Sequence, residues 1–259
     1  MQGGEVLTFT IAVAGKGGVG KSTFAALAIR QLHEKSKAVI LAVDADPNSN
    51  LGEKLGIEPG KTVGAIREEL ASLGEEPSKG MSKQEFLDYQ VRLSLREGEG
   101  VDLITMGRQE GPGCYCYVNN VLRQIIDSIS SKYDYVVIDN EAGMEHLSRR
   151  TTRSSDVLFV LCDRSKSSID AAKRIAALAT EMKLAIRRKV LVYNMRDAVE
   201  EVPQRDVVPS FDRAYSLRRS GAIQAMMQKG ESLTDVPAND PAVLDVARVV
   251  DSECRFKTA

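Results

Sequence analysis

The sequence predicts an α/β fold with a mostly parallel central sheet flanked by helices on both faces. Two observations carry this. Short unbroken apolar runs, rich in Val, Ile and Leu, recur along the chain. Segments with apolar residues at helical spacing separate them. A strand covered on both faces has no polar face to display, so its sequence reads as a continuous apolar run. The 259 residues, 43% of them hydrophobic, suffice for one sizeable core, and 1–259 reads as a single domain.

Leu7–Ala14 (LTFTIAVA) is β-rich and ends at glycines, which marks a first buried strand. Ser22–Glu34 repeats alanine and leucine at helical spacing. Ala38–Val43 (AVILAV) is a second buried strand and Val101–Met106 a weaker third. Tyr135–Asp139, Val157–Cys162 and Lys189–Tyr193 follow the same pattern. Helical patterns lie near Val118–Ser131, Ser168–Met182 and Pro241–Ser252. Between them, Arg67–Gly100 carries eight acidic and five basic residues with several glycines, and reads as a helical, solvent-facing surface insertion.

Composition excludes several classes. A net charge of −1 offers no bulk basic field for nucleic acid. No apolar run approaches the roughly 18 residues of a membrane span. The opening residues lack a basic region and a cleavage site, so no signal peptide is expected. Four cysteines without a secretion signal point to reduced thiols and a cytoplasmic setting.

The first strand runs into GKGGVGKS, Gly15–Ser22, a P-loop pattern between a strand and a helix. Gly15, Gly17, Gly18, Val19 and Gly20 supply backbone N–H groups for phosphates, and the helix N-terminus adds partial positive charge. Lys21 suits the β- and γ-phosphates, Ser22 a Mg2+ ion and Thr23 the α-phosphate. Asp44 and Asp46 form a D-x-D pair in VDADPNSN behind the second strand. YDYVVIDNEAG (Tyr133–Gly143) resembles a Walker B strand in which Asp139 serves Mg2+ and Gly143 opens a switch segment. No N-K-x-D guanine motif is present, since NMRD (Asn194–Asp197) lacks the lysine, which favours ATP over GTP.

The second lysine, Lys16, makes this loop resemble the deviant P-loop of the MinD/ParA/nitrogenase-iron-protein ATPases. The resemblance implies a homodimer in which Lys16 reaches the nucleotide held by the partner. It also implies that Asp46 orients the attacking water, that Asp44 is a switch or Mg2+-shell residue, and that Asn194 reads the adenine. Val208–Pro209 falls near a second adenine contact of that class.

GPGCYCYVNN (residues 111–120) places Cys114 and Cys116 two apart. In an extended segment both thiolates face one side. Two ligands do not close a tetrahedral site, but two chains related by a two-fold axis supply four. Packing as small apolar residues is the alternative, and it is the reading for Cys162 inside VLFVLC, while Cys254 reads as incidental.

GKGGVGKS, VDADPNS, CYC and NEAGMEHLSRRT together resemble the CooC-type nickel-insertion ATPases and the related AcsF proteins, from Leu7 to about Pro209. Asn140–Glu141 departs from the family pattern and adds a carboxylate to the switch. The resemblance implies that Ni2+ or Zn2+ sits at Cys114 and Cys116 of a homodimer. ATP binding sets the site's geometry, and the ion passes to a client apo-enzyme, carbon monoxide dehydrogenase or acetyl-CoA synthase. Thiolates accept either ion, so geometry and supply decide. Glu145 and His146 read first as relays of nucleotide state, with direct metal ligation as the alternative. Two rivals stand beside this reading. One is an iron–sulfur carrier or reductase, whose family cysteine after Walker B is lacking here. The other is a partitioning or membrane-positioning ATPase, which would need a basic face or a membrane helix.

Overall fold

A computed structural model describes residues 8–72, 82–107, 124, 127–141, 154–196 and 208–256. Among these, eight strands form one sheet. They are β1 (Phe9–Gly15), β2 (Ile40–Asp44), β3 (Arg96–Glu97), β4 (Val101–Thr105), β5 (Tyr135–Asp139), β6 (Ser154–Cys162), β7 (Ala185–Arg196) and β8 (Arg213–Arg218). Their order is β3-β4-β2-β5-β1-β6-β7-β8. Every pairing is parallel except that of β3 with β4, which is antiparallel and closes one edge. The central position of β1 explains its sequence, because Ile11 to Ala14 have no exposed surface on either face.

Alternate residues of each strand serve different layers. Phe9, Ile11 and Val13 pack with Val137, Phe159 and Val192 beneath α1 (Lys21–Ser36) and α7 (Pro241–Glu253). Phe24 of α1 meets Phe159 at 5.0 Å between ring centroids. Short helices α2 (Asn50–Leu55) and α6 (Gly221–Lys229) add Leu51 and Ile223 to that layer. On the opposite face, Ala12, Ala14, Leu158 and Val160 pack against Ala172, Ile175 and Ala176 of α5 (Lys166–Glu181). Cys162 belongs to this cluster, in keeping with the sequence reading, and Cys254 is buried beneath α7's end.

The 67–100 segment corrects its expectation. The end of α3 (Val63–Ser72) and all of α4 (Lys83–Ser94) form a covering layer, not a solvent-facing insertion. Ile66, Leu70, Phe86, Leu87 and Val91 pack on Leu41, Val43, Ile104, Val136 and Ile138. Lys83, Glu85 and Arg92 lie on the exposed face of α4, and the period of the apolar residues places Phe86, Leu87 and Val91 inside. A capping box starts α4: Glu85 N–H donates to Ser82 Oγ (3.2 Å), and Ser82 N–H donates to Glu85 Oε2 (2.8 Å). The predicted helix near 118–131 is described only in part, with residues 127–130 helical.

Candidate functional site

The carboxyl ends of parallel strands hold loops in register, and such ends build ligand sites in open α/β sheets. Here Asp139 of β5 lies opposite Asp44 of β2 on one side and Val13 of β1 on the other. The glycine loop follows immediately. Gly15 has φ 148°, and a Cβ there would stand 2.4 Å from the Leu161 carbonyl oxygen. Gly18 and Gly20 also take positive φ, 79° and 91°. Gly20 precedes α1 without any side-chain cap, and α1's first turn holds no acidic residue. Backbone N–H groups and the positive end of the helix are therefore presented outward, as an anion requires. Lys21 is buried at 6% exposure, and its Nζ lies 3.5 Å from the Lys16 carbonyl. A buried ammonium with one long hydrogen bond is poised for a second, anionic partner.

Three carboxylates stand behind the loop. Asp44 is fully buried; its Oδ2 accepts from Leu51 N (2.9 Å) and its Oδ1 from Asp46 N (3.2 Å). Burial pushes its carboxyl up to about 6, against those two hydrogen bonds. Asp46 Oδ1 accepts from Asn48 N (2.9 Å) and Asn48 Nδ2 (3.0 Å), which shapes the turn between β2 and α2. Asp139 is fully buried, and neither of its carboxylate oxygens has a hydrogen-bond partner among the described residues. Burial pushes it up to about 7; nearby Ser22 and Lys21 offset part of this, and Asp44 and Asp46 add to it. An orphaned buried carboxylate beside a serine hydroxyl is a hard oxygen donor set, and it fits Mg2+. Asn140, the residue that departs from the family pattern, clips two strands: its Nδ2 donates to Val13 O (2.9 Å) and Ile138 O (3.3 Å).

A cavity of about 380 Å³ opens in front of these groups. Gly17, Gly18, Gly20, Lys21, Ser22 and Thr23 line one end, and Asp46, Asn48, Asn50, Lys54 and Glu141 one side. Asn194, the β8–α6 corner and α6 complete the lining. A larger cavity, about 750 Å³, lies between α1, α2 and the β3–β4 edge. Its charges are of both signs and partly committed: Arg30 pairs with Glu34 at 2.7 Å, and His33 Nδ1 meets Ala38 O at 3.0 Å. The smaller cavity, which gathers the glycine loop and the carboxylates, is the candidate site.

Asn194 lines this cavity, and one N–H of its Nδ2 donates to Val19 O (2.8 Å), which ties the end of β7 to the glycine loop. Pro209 is a correction. It precedes β8, whose Arg213 pairs with Val190 in parallel register, so it lies at the amino ends of the strands, opposite the cavity. A parallel strand has to cross the whole sheet between those two positions. Lys16 is exposed and its Nζ donates to Ser167 Oγ (3.3 Å) at the start of α5. Thr23 Oγ1 lies 3.5 Å from Met227 Sδ. Sequence reasoning passed over Asn50, Lys54, Arg219 and Gln224. Asn50 and Lys54, four apart on α2, were legible as one helix face. Cys114, Cys116, Gly143, Glu145 and His146 lie outside the described residues.

The AAA domain family matches residues 8–192. An uncharacterized ATP-binding protein of Methanocaldococcus jannaschii is 53% identical over 93% of this chain and 96% of its own. The carbon monoxide dehydrogenase accessory protein CooC of Rhodospirillum rubrum is 30% identical over 93% of this chain and 94% of its own. A ParA family ATPase from Chlorobium tepidum shares the fold, with a TM-score of 0.67 over 94% of this chain and 99% of that one at 19% identity. Among the described residues, no helix is long and apolar enough to cross a membrane.

Proposed function

The chain belongs to the MinD/ParA-type P-loop ATPases, and on that premise we propose that it is an ATP-dependent metallochaperone working as a homodimer. Its cargo is Ni2+ or Zn2+, held by Cys114 and Cys116 of both chains and delivered to a client apo-enzyme of the carbon monoxide dehydrogenase or acetyl-CoA synthase type. The observation that carries this reading is the likeness to CooC along nearly the whole chain, joined to the Cys-x-Cys pair. Partitioning relatives match a smaller share of the chain.

In this reading the glycine loop and Lys21 hold the β- and γ-phosphates, with Thr23 at the α-phosphate. Ser22 and Asp139 hold Mg2+, with Asp44 beside them; when bound, the ion neutralises charge on the β- and γ-phosphate oxygens. Asp46 orients the water that takes the γ-phosphoryl group, giving ADP and phosphate. Lys16 leaves Ser167 and reaches the partner's nucleotide, which makes dimer closure depend on ATP. Four thiolates meet only in the closed dimer, so the nucleotide controls cargo affinity.

The test is metal content on anaerobically prepared protein, with and without ATP, together with dimer mass. One nickel or zinc per two chains, lost when Cys114 and Cys116 become Ser while ATP still binds, is the expected result. Iron with acid-labile sulfide would replace the metallochaperone by a cluster carrier. No bound metal in any nucleotide state would leave a dimeric ATPase without cargo.

A further inference from the structure

The methionines of the described residues sit in unlike settings. Met106 is buried in the core at 5% exposure, and Met226 packs against the layer of α1 and α7. Met182 is 36% exposed where α5 runs into the amino end of β7, at the opposite end of the sheet from the cavity. Met227 is more exposed still, at 43%, and it lines the cavity. Its sulfur meets a group of the candidate site: Thr23 Oγ1 donates to Met227 Sδ at 3.5 Å.

That contact is held from both sides. Thr23 stands in the first turn of α1, directly behind the glycine loop. On the other side, α6 is fixed at both ends. Ser220 Oγ accepts from Ile223 N (3.0 Å) and donates to Asp240 Oδ2 (2.6 Å). Gly230, in the left-handed conformation, closes the helix with its N–H on the Met226 and Met227 carbonyls. A thioether is a weak acceptor, so the Thr23 hydroxyl leaves it readily for a phosphate oxygen.

We propose that Met227 is an oxidation site through which peroxide lowers nucleotide affinity. Hydrogen peroxide gives one oxygen atom to Sδ: an S–O bond forms, the O–O bond breaks, the sulfur loses two electrons, and the peroxide departs as water. The product is a polar sulfoxide in place of an apolar thioether. Its oxygen accepts a hydrogen bond far better than the sulfur did, so the Thr23 hydroxyl stays on it and is withheld from the α-phosphate. A bound nucleotide fills the cavity and covers the sulfur, so the modification falls on the empty protein. A methionine sulfoxide reductase returns the thioether. This assignment rests on the ATP-site reading above.

The experiment treats nucleotide-free protein with limiting hydrogen peroxide, then with dithiothreitol, which reverses thiol oxidation but not the sulfoxide. Peptide mass spectrometry follows each methionine, and equilibrium dialysis reads ADP affinity. Met227 and Met182 should oxidise ahead of Met106. Saturating Mg-ADP should protect Met227 and leave Met182 as it was. Protein oxidised at Met227 should bind ADP about tenfold more weakly, the scale of a lost hydrogen bond to a charged group. Methionine sulfoxide reductase should restore the affinity. Met227→Leu, compared with its own untreated form, should lose nothing on oxidation, and Thr23→Val, which has no hydroxyl to withhold, should be insensitive in the same way. Full ADP affinity with Met227 oxidised, or an equal loss in Met227→Leu, overturns the proposal and leaves the ATP site standing. Untreated protein that binds no ADP removes both.

Discussion

Two clusters of buried charge sit at opposite ends of the same sheet, and they are built on opposite terms. Toward the amino ends of β7 and β8, Glu253 is wholly buried, with Oε1 hydrogen-bonded and Oε2 facing an arginine without a hydrogen bond of its own. Its Oε1 accepts from Tyr215 OH (2.6 Å) and Arg213 Nη1 (3.2 Å), and Arg188 Nη1 lies 3.4 Å from its Oε2. Arg188 also donates to the Glu253 carbonyl. At the carboxyl ends, Asp139 is equally buried and has no hydrogen-bond partner among the described residues. A paired buried charge is scaffold, whereas an unpaired one raises the free energy of the empty protein and lowers it when a cation arrives. The difference separates the end that holds the fold from the end that binds.

The largest effect expected from breaking this contrast is at Lys21. Lys21→Ala should weaken nucleotide binding by at least about a hundredfold, since the buried ammonium loses an anionic partner; unchanged affinity in equilibrium dialysis would remove the lysine from the phosphate site. Next is Glu253→Gln, which should cost about 1.5–3 kcal/mol in chemical denaturation while ATP binding persists. Loss of ATP binding at full stability would merge the two ends that the comparison separates.

Asp139→Asn sharpens the comparison through pH. The carboxyls of Asp139 and Asp44 titrate at about 7 and about 6 in the fold, above their ordinary 3.8. The folded, nucleotide-free chain therefore binds more protons than the unfolded one between those values. The stability these groups contribute is present at low pH and lost as pH rises through 6 to 7. Asp139→Asn should flatten that slope and melt above the parent protein at pH 8. Mg2+-dependent nucleotide affinity of the parent should fall by up to about tenfold per pH unit below 7, because the ion needs the deprotonated carboxylate. A pH-independent affinity from 6 to 8 would show that Asp139 does not serve the ion. The smallest effect is at Ser167, where Ala should free Lys16 and strengthen ATP-dependent dimerisation by about twofold, as suits an exposed hydrogen bond. Sedimentation showing a weaker dimer would give Ser167 a place in the interface instead.

Much of the binding end was legible in the sequence, because its motifs are local. Gly15 to Ser22 is a single turn between strand and helix, and the D-x-D pair follows a strand whose apolar run is unbroken. The cavity wall built by β8 and α6 was not legible. β8 reads RAYSLR, an edge strand whose arginines look like loop polarity until Asp245 and Glu253, distant in sequence, neutralise them. Pro209 came from the family resemblance alone, and it falls at the amino ends of the strands. The signals for α6 were present in Ser220 and Gly230, which bracket its nine residues as N-cap and left-handed C-cap. The covering role of α4 was hidden by composition and shown by period: Phe86, Leu87 and Val91 recur on one face of a charged helix.

The strand order carries a consequence for how the protein is made. β1 leads into the glycine loop, yet its sheet neighbours are β5 and β6, with Phe9 beside Tyr135 and Ile11 beside Val157. More than half of the 259 residues must leave the ribosome before β1 gains its first strand partner. Until then β2 and β4 can pair, while β1 and the Ala- and Leu-rich face of α1 wait with their apolar surface uncovered. Nascent chains released before Tyr135 would carry the whole glycine-loop motif and none of its architecture.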